Sequence, residues 1–85
     1  MLRIRSKVNG EIRFTVSGRM DAANLVELKN LIDAETGGRP MALDLKELML
    51  VDREAVTFLK RCELNGIEIR NCSAYIRHWI TREKA

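Results

Sequence analysis

The sequence predicts an α/β domain: a four-stranded mixed sheet in ββαβαβα order with helices packed against it. Three observations point there. Apolar and polar residues alternate on both sides of Asn9-Gly10, the period of half-buried strands. Two later stretches carry apolar residues at helical spacing, each preceded by an Asp and followed by glycine. Between and after them lie short apolar runs of strand length.

Leu2, Ile4 and Val8 alternate with Arg3, Arg5 and Lys7 in the first strand. Ile12, Phe14 and Val16 alternate with Glu11, Arg13, Thr15 and Ser17 in the second, which Gly18 ends. Asn9-Gly10 between them is a hairpin signal, because both residues tolerate positive φ. Asp21 is placed to cap the first helix, whose apolar stripe is Leu25, Leu28, Leu31 and Ile32, running to about Ala34. Gly37-Gly38 stops it, and Pro40 opens a third strand from Met41 to Leu45. Leu48 to Val51 lead to Asp52, a second cap. Val51 and Val56 have the spacing of a hydrophobic staple around it. Ala55, Val56, Leu59 and Cys62 face the core, flanked by Phe58. Asn65-Gly66 ends this helix, and Ile67 to Arg70 form a short fourth strand. Ser73 caps a last helix with Ile76, Trp79 and Ile80 as its stripe. Each strand–helix–strand stretch joins parallel strands.

Apolar residues make up 46% and charged residues 32% of the 85, which excludes a disordered chain. The length fits one domain spanning 1–85. No apolar run reaches the roughly 20 residues that span a bilayer, and the alternating start lacks the apolar stretch of a signal peptide. The expectation is a cytoplasmic protein. Cys62 and Cys72 are too few for a disulfide framework, and with His78 alone they make no zinc spacing. The net charge of +3 mixes both signs and does not by itself argue for nucleic acid.

Gly18-Arg19-Met20-Asp21, Leu43-Asp44-Leu45 and Asp52, eight positions after Asp44, stand in the order and spacing of motifs in one family. Through them the chain, from about Ile4 to Ile80, resembles the STAS domain of anti-sigma-factor antagonists and sulfate-transporter tails. The resemblance implies a STAS-like fold and a protein-binding function in bacterial signalling and transcription regulation. The implied partner is an anti-sigma factor with kinase activity, which docks at the start of the second helix. Asp52, Arg53 and Glu54 then form the contact, with Gly18, Arg19 and Asp21 nearby. In the family a Ser or Thr after the Asp is phosphorylated, adding nearly two negative charges to the interface. Here those positions hold Arg53 and Glu54, so the usual phospho-switch is not expected. Thr57, the nearest hydroxyl downstream, does not match the motif. Glu54 fits a first helical turn, where the dipole favours an acid. A standing negative charge at the phosphosite is the other reading.

Other chemistry finds little support. His78 has no nucleophile and acid arranged around it and reads as a surface residue, so no catalytic site is expected. Cys72 precedes a helix, which would stabilise a thiolate, but a small buried residue closing the strand is the favoured reading. Asp44 and Asp52 could approach at a sheet edge. A cap explains Asp52, and a loop brace explains Asp44. No phosphate loop, metal site or cofactor is expected. Arg3, Arg5, Lys7 and Arg13 share one side of the hairpin, and Arg70, Arg77, Arg82 and Lys84 add charge later. These charges fit first an ordinary solvated sheet face with edge-protecting charges, next a surface for an acidic protein, and last nucleic-acid phosphates; a nucleic-acid-binding module using the basic hairpin is the alternative function. The lack of interleaved aromatics argues against base stacking there.

Overall fold

A computed structural model describes residues 1–35 and 37–83. The elements follow the expected order: β1 (Leu2–Val8), β2 (Ile12–Met20), α1 (Leu25–Asp33), β3 (Met41–Val51), α2 (Arg53–Leu64), β4 (Glu68–Arg70) and α3 (Ala74–Arg82). They form a mixed sheet of four strands in the order β1-β2-β3-β4. β1 and β2 are antiparallel, and the other pairs are parallel.

The strand order explains the layering. Both parallel crossovers add the next strand on the same side of the last. A common hand therefore carries α1 and α2 to one face. Leu28 of α1, Ala55, Val56, Leu59 and Cys62 of α2, and Ile76 and Ile80 of α3 join one core with Ile12, Phe14, Val16, Leu43 and Leu45 of the sheet. The other sheet face carries no helix. Its register aligns Arg3, Arg5 and Lys7 with Ser17, Thr15 and Arg13, and then Ala42 and Asp44 with Glu68 and Arg70. On this open face Arg70 holds Glu11 through two hydrogen bonds of 2.6 and 2.9 Å. That bridge spans β3 from the β2 side to β4. Ala42 is fully buried yet lies outside the helix-side core, on the bridged face.

Several local expectations change. The hairpin closes at Val8↔Ile12, so Glu11 belongs to a three-residue loop, and only Gly10 in it takes positive φ. The third strand does not end at Leu45. It runs to Val51, with an extra β3 residue accommodated between the pairs Thr15↔Asp44 and Ser17↔Glu47, and another between Gly18↔Leu48 and Arg19↔Leu50. Each bulge breaks the alternation that marks a strand. The Asp44 carboxylate accepts the Lys46 N–H at 3.0 Å beside the first bulge, so it braces a bulged strand and not the loop expected after it. Leu31 is exposed, so the buried stripe of α1 narrows to Leu28 with Leu25 and Ile32 beside it. The helix stops at Asp33, ahead of the glycines. Ser73 occupies the cap position of α3, but its side chain makes no capping bond. Arg77 pairs with Glu63 at 2.9 Å, and Glu83, just past α3, pairs with Arg53 at 3.6 Å, so α2 and α3 run in opposite senses.

Candidate functional site

Asp21, expected to cap α1, instead braces the turn before it: the cap position is Asn24, whose side chain makes no capping bond to the helix, and this turn meets the Asp52 cap of α2 in space. Asp21 Oδ1 accepts the N–H groups of Ala23 and Asn24 at 3.0 and 3.1 Å. Asn24 Oδ1 accepts the Asp21 N–H in return at 2.8 Å, a reciprocal capping box. This turn precedes the first full helical residue, Leu25. These backbone donors, with Arg19 at 3.3 Å, hold the Asp21 carboxyl below its ordinary range.

Asp52 is extended at the start of α2, and its Oδ1 accepts the Ala55 N–H at 2.8 Å. Its second oxygen accepts the Ala22 N–H at 3.0 Å. Its own N–H donates to the Met20 carbonyl at 3.3 Å. One carboxylate thus caps α2 and fastens the β2–α1 turn to it. Both oxygens of an ionised Asp serve as acceptors here.

Around this latch lies a shallow depression of about 270 Å³ lined by Arg19, Met20, Asp21, Leu50, Val51 and Asp52. Met49 and Leu50 stand 70% and 56% exposed beside it. Tyr75, also exposed, donates its hydroxyl to the Met49 carbonyl at 3.3 Å. The site therefore has an apolar rim and a charged centre. Arg53 projects outward with its side chain 80% exposed. Glu54 is exposed in the first turn of α2 and borders a second hollow of about 320 Å³ between α1 and α2, with Leu25, Ile32 and Phe58 in its wall.

The structure brings Gly18, Arg19, Asp21, Asp52, Arg53 and Glu54 to one end of the sheet. Gly18 serves the backbone: its φ is +92°, and a Cβ there would lie 2.2 Å from the Met1 carbonyl oxygen. Sequence reasoning missed Met49, Leu50, Tyr75 and Glu83. A signal existed for the first two. Four consecutive apolar residues, Leu48 to Val51, cannot all face inward from a strand. Glu83 also accepts a hydrogen bond from Thr57 at 3.5 Å, which sets a carboxylate beside the first turns of α2.

The remaining candidates separate. Asp44 and Asp52 do not approach: β3 runs between them, roughly 20 Å of strand, and each has its own partners. Cys72 gains no thiolate character, because burial raises its pKa. Burial pushes the Cys62 thiol up to about 12. His78 is exposed on α3, and Lys84 lies outside the described residues. Among the described residues no group of acidic, His and Cys side chains is placed to hold a metal, and no helix is long and apolar enough to cross a membrane.

No protein-family model matches this chain, and no curated protein matches it.

Proposed function

We propose that the chain is a STAS-like interaction module that docks a signalling protein, in the manner of an anti-sigma-factor antagonist, at the start of α2. The observation that carries this reading is the Asp52 latch. It fixes the β2–α1 turn against α2, so that Arg19, Arg53 and Glu54 are presented next to exposed Met49 and Leu50. Apolar anchors beside a few fixed charges are the composition of a protein-binding surface. Arg53 and Glu54 replace the family's phosphorylated hydroxyl, so binding here is constitutive with respect to that switch. The nucleic-acid alternative gathers Arg3, Arg5, Lys7 and Arg13 on the open face, but Phe14 packs in the core and the other aromatics sit on α2 and α3, so that face offers no stacking platform.

The test is affinity capture from native lysate with the unaltered chain and the double variant Arg53→Glu, Glu54→Lys, with and without nuclease. Loss of a nuclease-resistant protein from the folded variant supports the site. Equal capture by both chains removes it. Capture abolished by nuclease transfers the function to the basic hairpin.

A further inference from the structure

We propose that the free edge of β1 receives an extended segment of a partner protein, added as a fifth strand whose residues alternate acidic and apolar. β1 closes one side of the sheet and, among the described residues, pairs only with β2. Alternate residues along it therefore direct their N–H and C=O groups outward. The pairing with β2 is continuous over seven residues, without bulge or proline. Natural edges resist strand addition by being short, bulged, covered or charged, and of these devices this edge carries only charge. This one is regular and roughly 23 Å long.

Its two faces specify the occupant. Arg3, Arg5 and Lys7 project from the open face, with Arg13 directly across from Lys7. Among the described residues none of the four forms an ion pair, whereas Arg70 on the same face is taken up by Glu11 and Glu68. The other face of β1 presents Leu2 and Ile4, half-buried, then exposed Ser6, and Val8, 55% exposed. Side chains on one face of an added strand repeat at the same interval as those of β1. Acidic residues at every second position would thus oppose Arg3, Arg5 and Lys7 while the intervening apolar residues extend the cover over Leu2, Ile4 and Val8. Opposite charges directly across a strand pair are stabilising.

A second copy of the chain does not fit. Antiparallel pairing of two β1 strands about Arg5 would set Arg5 against Arg5 and Arg3 against Lys7, and like charges so placed are destabilising. The basic row thus refuses itself and selects an acidic strand, the mode of recognition in which backbone bonds give affinity and alternate side chains give specificity.

The probe is an acetylated, amidated octapeptide alternating Val and Glu, followed by amide hydrogen exchange and chemical shifts on the full chain. Controls are the Lys-for-Glu peptide, a version with a central Pro, and an oligothymidylate. The expected result is protection of the outward β1 amides by the Glu peptide alone. Arg5→Glu weakens its binding about tenfold or more, and Arg5→Gln weakens it less. Arg5 is exposed, and circular dichroism confirms that both variants fold. Unprotected β1 amides, equal binding of the Pro peptide, or binding of the oligonucleotide alone would overturn the proposal, the last in favour of a phosphate-binding face. None of these outcomes touches Arg53 or Glu54, so this surface and the α2 site stand or fall separately.

Discussion

Two residues at one end of the sheet carry more of the architecture than their size suggests. Gly18 is held at positive φ with the Met1 carbonyl where a side chain would be, and the Arg19 N–H bonds that same carbonyl at 3.0 Å. Gly18→Ala must both strain the backbone and displace the start of β1. It is expected to cost more than about 1 kcal/mol in urea unfolding. Asp52 gives one oxygen to α2 and the other to the β2–α1 turn. Asp52→Ala is expected to lose about 1–2 kcal/mol, within the range of lost helix caps. Asp52→Asn recovers only part of this, because an amide offers one acceptor oxygen and turns a donor toward the other N–H. Full recovery in Asn would show that the Ala22 bond contributes nothing. The sequence reads Gly18 as the end of the second strand, whereas β2 continues through it to Met20. Asp52 was legible as a cap because a cap is local. Its bond to Ala22, thirty residues earlier, was not, because no spacing rule encodes a contact between separate turns.

Among the elements, α1 is the most loosely held. It buries only Leu28 fully, whereas α2 buries four residues. Amide exchange in α1 is expected to be faster than in α2 under native conditions, since local opening follows the apolar surface that holds an element down. Equal protection would mean that the hollow between the two helices is no weakness. The elements also show where pattern reading works. The pairing of β1 with β2, and α2, follow their periods and are legible, although the hairpin loop is a residue longer than the sequence suggests. β3 changes face at each bulge, so Lys46-Glu47 and Met49-Leu50 look like a loop and a helix approach although they are strand. Leu31 fits the helical stripe by spacing, but its side chain lies at the edge of what a nine-residue helix can bury. Ser73 sits where a cap belongs and makes no capping bond; the structure offers no reason.

At the scale of the whole molecule, one layer of helices covers one face, and the other is tied by charge. Arg70 joins Glu11 across β3 and Glu68 along its own strand, and its hydrogen bonds are the main reason both carboxyls titrate below their ordinary value of 4.5. A carboxyl lowered in the folded state adds stability that is fully present above its unfolded pKa. That stability is lost as pH falls through the folded pKa. The open face is therefore expected to loosen below about pH 4.5. Urea midpoints at about pH 6 and about pH 3 should differ less in Arg70→Gln than in the unaltered chain. An identical acid loss in both would assign the effect to other carboxylates, Asp21 first among them.

The sheet order matches the chain order. No strand waits for a later one to fill a gap beside it, and the last helix settles on the one made just before. A chain leaving the ribosome could therefore assemble in the direction of synthesis, each strand templated by its predecessor. The hairpin alone is too small to hold. The core needs more than the sheet: α2 brings Ala55, Val56, Leu59 and Cys62 to it, and Ile67, Ile76 and Ile80 follow. Until then the basic row of β1 lies on the strand exposed longest, where it also guards the nascent edge against neighbouring copies of itself.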